Sequence, residues 1–315
     1  MRLALSLAVL FAASAAVLDF AGGLDELGRE RFLRWMWLGI AVGAVLLATE
    51  LFAEFPLSRA VLGLPRIGPG SPHIGLLGPA LAVLVLMLWP LVASAWNQAR
   101  GNAISAILGV AVLVAAGENL AAGVALAFGA VAFIAVRFGG RPVVFGLTGS
   151  AVVVVVAAPF LASLPDPDSL ATRFSEDQRS ALHRLYIWEF TAERIAEKPI
   201  LGWGLDSSRS IPGADDFVLP SGRLLDLHPH NAALQIWLEL GALGAMALTA
   251  LIFVTGRAIA AIAEPLHRAG AAGTFTAALA IAFLSFGIWQ NWWIAVLVLT
   301  SAFVRAAIPR AGPAP

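Results

Sequence analysis

The sequence predicts an all-α, polytopic membrane protein of about nine membrane-spanning helices with one long external loop. Three observations carry this expectation. Of the 315 residues 59% are hydrophobic and 13% are charged, and the mean hydropathy is +0.85, far more apolar than an ordinary soluble domain. The apolar residues fall into runs that suit a hydrocarbon core of roughly 30 Å, which takes about 20 helical residues to cross. Polar residues are concentrated in a single stretch, residues 164–230. The 20 basic and 20 acidic residues cancel, so net charge gives no reason to expect a nucleic-acid partner. The chain has no cysteine, which excludes a disulfide, a thiolate metal site or a cysteine nucleophile within it.

Spans are expected at residues 3–18, 34–53, 74–96, 103–116, 120–136, 143–163, 231–255, 269–288 and 292–304. The first follows Arg2 and is rich in Ala and Ser, as a cleavable signal peptide would be. Cleavage would strand Arg29, Arg31 and Arg34 outside, against the positive-inside tendency, so the segment reads as a span. Residues 101–136 are too long for one helix and carry Gly117-Glu118-Asn119 in their middle. Two short spans joined there by a solvated turn put Arg100, Arg137 and Arg141 on one side. Arg29, Arg31, Arg34, Arg257, Arg268, Arg305 and Arg310 then join them in the cytoplasm, and Arg2, Arg59 and Arg66 mark short outer ends. The other basic residues, Arg173, Arg179, Arg184, Arg194, Lys198, Arg209 and Arg223, all lie in the polar stretch. That stretch is therefore external, which in a Gram-negative cell means periplasmic, with the spans in the inner membrane.

Four parts follow: an N-terminal transmembrane bundle (1–163), a periplasmic loop with a surface helix (164–230), C-terminal transmembrane helices (231–305) and a proline-containing, disordered tail (306–315). The loop leaves the membrane through Leu-Pro-Asp-Pro-Asp. Ser175-Glu176-Asp177 can cap a helix running to about Glu197, with Leu182, Leu185, Tyr186, Phe190 and Ile195 near helical spacing and Pro199 beyond its end. Such a helix would lie on the membrane surface. Gly202 and Gly204 flank Trp203 in a tight turn, and a flexible stretch, 205–226, follows. Trp289-Gln290-Asn291-Trp292-Trp293 reads as an aromatic cluster at the outer interface.

The candidate base is His230, in the run His228-Pro-His-Asn231. Pro229 cannot donate a backbone hydrogen bond and restrains its predecessor, so His230 and Asn231 sit where loop becomes helix. An imidazole with an apolar wall on one side and water on the other can be held neutral and used as a base. His228 adds only a weak metal signature. All basic residues but Lys198 are arginine, whose planar fork suits phosphate; Arg184, Arg209 and Arg223 compete to bind a diphosphate, and Arg184 also suits snorkelling toward lipid headgroups. Glu239 lies at membrane depth, where an acid is functional by default but equally serves helix contact. Nine residues beyond His230, it projects about 180° away and is not expected to pair with it. Gly241 and Gly244 suit close helix packing. No metal-ligand set, dinucleotide fingerprint, P-loop or hydrolase elbow appears, so neither metal nor cofactor is expected.

His230-Asn231, nine residues, Gly241, two residues and Gly244 resemble the signature of the O-antigen ligase superfamily, which includes O-antigen ligases and related O-antigen and exopolysaccharide polymerases. Arg184-Leu-Tyr-Ile-Trp188 and Lys198-Pro-Ile-Leu-Gly202-Trp-Gly204 are similar to the same family's periplasmic loop. The resemblance implies a GT-C-like helical glycosyltransferase taking a glycan from undecaprenyl diphosphate, with His230 matching the family histidine and Arg184 its loop arginine. The expected mechanism is a metal-independent, inverting transfer with His230 as base and Arg184 as leaving-group partner, and Asn231, Glu239, Gly202 and Gly204 are expected in supporting positions. It implies lipid A core as the acceptor in a ligase, or another lipid-linked glycan in a polymerase, with membrane lipids around it. A transporter or a non-catalytic scaffold is the reading from a different class; few ionisable groups lie within the spans, which disfavours a transport path.

Overall fold

The computed structural model describes residues 2–63, 72–175, 179–219, 222–225 and 227–308. Arg66, Arg310, the Glu176-Asp177 part of the expected cap and the prolines of the expected tail lie outside them. The fold is all-α, with helices α1 (Arg2–Gly23), α2 (Glu26–Phe52), α3 (Pro56–Leu62), α4 (Gly78–Ala95), α5 (Arg100–Ala116), α6 (Leu120–Gly139), α7 (Arg141–Ala162), α8 (Pro167–Ala171), α9 (Arg179–Glu197), α10 (Ala232–Ala261), α11 (Pro265–Leu284) and α12 (Asn291–Ala307). Among the described residues six helices are long and apolar enough to cross a membrane: α1, α2, α4 with its preceding turn, α6, α7 and α10. The three other expected spans are helices as well. Two of them, α5 and α12, have only 17 residues, and α11 opens on Pro-Leu-His-Arg and is rich in Ala, Gly and Thr.

Helix boundaries follow local chemistry. Asp25 caps α2 by accepting from Gly28 N at 2.8 Å, and Asn119 caps α6 by accepting from Ala122 N at 2.9 Å, each satisfying an otherwise orphaned amide. Glu118, beside Asn119, is exposed, as expected of a solvated turn. Gly140 at φ +67 closes α6, and α7 begins at the next residue.

The chain divides into two compact units. One comprises Ala8–Val144, Ile259–Ile281 and Ile294–Pro315 and is built around α4, which is buried along nearly its whole length. Trp89 of α4 fills space left by small residues: a Cβ on Gly129 would come within 2.4 Å of its ring, and one on Gly273 within 3.0 Å. Only glycine allows α6 and α11 to approach that closely. Met87, Leu91 and Phe303 pack with Phe32, Leu33, Met36 and Trp37. Arg29 donates to the Ile308 carbonyl at 3.2 Å, and the Arg305 guanidinium lies against Gly22. These contacts gather chain ends that the charge distribution assigns to one side. Large apolar side chains such as Phe11, Phe20, Trp35 and Val45 point outward, as they would toward lipid.

The other unit comprises Met1–Leu7, Phe145–Ala258 and Ala282–Trp293. Asp166 caps α8 through the amides of Asp168 and Ser169. Tyr186 donates to Asp168 at 2.7 Å, and that bond raises the phenol pKa to about 12. The inward face of α9 carries Leu182, Ile187, Phe190, Ala192 and Ile195, while Leu185 and Tyr186 are half-buried. Described residues of the stretch expected to be flexible, 205–226, are instead built into structure. A 3-10 turn forms at Ser207–Arg209, and Phe217–Leu219 pairs antiparallel with Gly222–Arg223. The physical reason is that its backbone groups find protein partners, such as Leu225 N to Ala214 O at 2.9 Å, over a buried Ile211, Ala214 and Leu225.

Candidate active site

The loop-to-helix junction is fixed by its own side chains. Asn231 accepts from Ala233 N at 3.0 Å and Leu234 N at 3.1 Å and so caps α10. His230 has φ +51, a left-handed conformation that costs a non-glycine residue about 1–3 kcal/mol and persists only where its surroundings impose it. Hydrogen bonds hold it in place. Its amide donates to His228 Nδ1 at 3.2 Å, its ring Nδ1 meets the Ser285 carbonyl at 2.8 Å, and Trp188 Nε1 donates to the Pro229 carbonyl at 2.9 Å. A carbonyl can only accept, so the neutral His230 ring carries its proton on Nδ1 and its basic lone pair on Nε2.

His228 is buried, and its ring stands edge-on to that of His230 with centroids 4.4 Å apart. Burial, then the charges of His230 and Arg209, push its pKa down to about 4. It is neutral at neutral pH, with Nδ1 accepting and the proton on Nε2.

The α10 helix is broken at Gly241, which has φ +61 and ψ −154. The segment from Pro199 to Gly204 fills the break: Ala242 N donates to the Pro199 carbonyl at 2.8 Å, Trp203 N to Leu238 O at 2.9 Å and Gly204 N to Glu239 O at 2.9 Å. A Cβ on Gly202 would lie 2.5 Å from the Glu239 carbonyl carbon, and one on Gly241 2.3 Å from the Ile200 carbonyl oxygen. Both glycines also have positive φ, as does Gly204 at +107. The expectation that Gly241 and Gly244 serve helix packing is corrected here. Gly241 is the break itself, and a Cβ on Gly244 would meet Leu240 across it at 2.4 Å. Trp203 locks the segment to the end of α9, donating to the Arg194 carbonyl at 2.8 Å, with Lys198 Nζ 3.8 Å from its ring centroid.

Glu239 is completely buried. It accepts from Asp206 N and Ser208 Oγ, both at 2.6 Å, from Trp289 Nε1 at 2.7 Å and from Gln235 Nε2 at 3.0 Å. Gln235 Oε1 in turn accepts from Ile288 N at 2.9 Å. A buried carboxylate is costly unless fully hydrogen-bonded, and four donors meet that requirement. The carboxylate thereby ties the loop after Trp203 and the 285–290 turn to α10. None of its hydrogen-bond partners is His230.

The three candidate arginines differ in their surroundings. Arg184 is half-buried on α9, and among the described residues it has no carboxylate or hydrogen-bond partner; burial lowers its guanidinium pKa. One helical turn separates it from Trp188, so the two share the face that reaches Pro229. Arg209 bonds Asp206 at 3.2 Å and is more than half exposed, yet its charge is felt at His228. Arg223 bonds Asp215 at 2.8 Å, and its carbonyl receives the His183 Nε2 proton at 2.7 Å. Sequence reasoning passed over Ser285, Gln235 and Ser208, and read Trp289 only as part of an interfacial aromatic cluster, not as a partner of Glu239. The i, i+4 pair Gln235 and Glu239 inside an apolar span was the available signal.

The O-antigen ligase family profile matches residues 103–249, a range that contains His230, the three arginines and Glu239. Relatives agree with it. "Putative polysaccharide ligase RC0486" of Rickettsia conorii is 32% identical over 255 residues, covering 78% of this chain and 62% of that protein. "Putative polysaccharide ligase" of Rickettsia bellii is 29% identical over 294 residues, 89% of this chain and 69% of the relative. The chain is an O-antigen ligase-type superfamily member. It spans about 62% of the length of the R. conorii relative. No solved structure matches it significantly. In this O-antigen ligase-type chain the matched region runs from α5 into α10, so it includes both sides of the Gly241 break.

Proposed function

We propose that the chain transfers a glycan from undecaprenyl diphosphate to an acceptor hydroxyl on lipid A core, at the periplasmic face of the inner membrane, by a metal-independent, inverting displacement. The acceptor oxygen attacks the anomeric carbon while its proton passes to His230 Nε2. The bond from that carbon to the diphosphate oxygen breaks, and undecaprenyl diphosphate departs with the electron pair. Arg184, aided by Arg209 and Arg223, meets the charge that grows on the leaving group, since a guanidinium fork binds phosphate oxygens bidentately.

The observation that carries the reading is the state of His230. Its Nδ1 proton is committed to the Ser285 carbonyl, which puts the basic lone pair on Nε2, and its backbone is held in a strained conformation of the kind that clusters at functional sites. A half-buried arginine on the face of α9 that reaches the same loop adds a cation whose donors are uncommitted among the described residues. Asn231, Gly202, Gly204 and Glu239 support the site by shaping the backbone around it. The test is transfer of labelled glycan from undecaprenyl diphosphate to a lipid A core acceptor by purified chain in vesicles. Product on the core supports the ligase reading; longer glycan still on the carrier makes it a polymerase.

A further inference from the structure

We propose that His228 is a positioning residue for this transfer: by accepting the His230 backbone N–H, it sets the direction in which His230 Nε2 presents its lone pair. The inference rests on the reading of His230 as the base. Two contacts of His228 support it. Pro229 has no N–H, so within this turn the amide that His228 Nδ1 holds is that of His230, at 3.2 Å. That bond closes the turn in which His230 takes its positive φ.

The His228 ring also packs on the turn that fixes His230. A Cβ on Gly287 would lie 2.7 Å from His228 Cδ2, so a glycine there lets the ring lie against the 285–290 turn. The same turn supplies the Ser285 carbonyl that holds His230 Nδ1. One histidine is thus seated by packing and the other by a hydrogen bond on one short segment, with their rings 4.4 Å apart. Burial keeps His228 neutral at neutral pH, so its Nδ1 remains an acceptor while His230 takes up and gives back a proton.

Two substitutions separate the acceptor from the ring. His228→Asn keeps an acceptor at the δ position and loses the ring; His228→Phe keeps a ring and loses the acceptor. The full chain in vesicles is assayed with undecaprenyl diphosphate glycan as donor. His228→Phe should lower kcat roughly tenfold or more with donor KM within about twofold, as a small misplacement of a reacting group does, and His228→Asn should recover most of that loss. Equal losses in both variants, or wild-type kcat in His228→Phe, overturn the proposal. A second readout does not depend on turnover. In ¹⁵N-histidine-labelled protein, His230 should be the Nδ1–H tautomer in wild type and a mixture of tautomers in His228→Phe; an unchanged tautomer in that variant also overturns it. Wild-type transfer by His230→Ala would instead sink the base assignment, and the tautomer measurement would still report whether His228 orients its neighbour.

Discussion

At His230 the ring tautomer follows from the Ser285 carbonyl, and the same short segment, 285–290, gives a flat glycine face to His228, whose Nδ1 holds the amide of the strained residue. The arginines around this pair differ in how committed their donors are, and that difference predicts their roles. Arg184→Lys keeps the charge but loses the fork, so transfer should fall nearly as far as in Arg184→Ala. Arg209→Ala and Arg223→Ala, whose side chains already hold Asp206 and Asp215, should cost less. Initial rates at saturating donor check this ordering; wild-type rates for both Arg184 variants would reduce that residue to a lipid anchor. His228 makes a separate prediction through linkage. Its folded pKa of about 4 lies below the ordinary histidine value of 6.5, so the unfolded chain binds more protons between these values. Stability is then fully present above about pH 6.5 and falls as pH drops toward 4, by up to about 3 kcal/mol. Thermal unfolding in detergent at pH 7 and pH 4.5 should show this loss, and His228→Phe should shrink it.

The element that carries the site is α10, and its continuity is deceptive. Apolar residues continue on both sides of Gly241, so periodicity reads one uninterrupted span; the break becomes visible only with the segment from Pro199 to Gly204 that fills it. The spans, the long polar stretch and the position of a histidine at the loop-to-helix junction were legible because hydropathy, charge placement and Pro229 encode them directly. Ser285 was not, because it acts through a backbone carbonyl to which its side chain contributes no signal. Glu239 was legible as an unusual intramembrane acid, but its partners come from residues far away in sequence, Asp206, Ser208 and Trp289. Two predictions follow at this scale. Glu239→Ala leaves buried donors unpaired, at about 1–3 kcal/mol each, and should release the loop so that trypsin cuts after Arg209 faster than in wild type. Gly202→Ala places a Cβ against the Glu239 main chain at a positive φ and should destabilise by more than about 1 kcal/mol, read as a lower Tm.

For the whole molecule, the charge distribution makes a sidedness prediction that the composition allows to be tested cleanly. The natural chain has no cysteine, so a single introduced one reports its own environment. Ser210→Cys, in the exposed loop, should react with a membrane-impermeant maleimide added to intact spheroplasts, whereas Gln98→Cys, in the exposed turn before α5, should react only after lysis. The reverse pattern would place the site on the cytoplasmic face and remove lipid-linked diphosphate sugars of the periplasm as donors. The central claim is chemical, that His230 takes the acceptor proton. Glycan transfer by purified His230→Ala in vesicles, beside wild type and with donor binding measured on the same samples, tests it most directly. The account predicts donor binding near wild type and transfer lowered by about 10²–10⁴; transfer at the wild-type rate would contradict it.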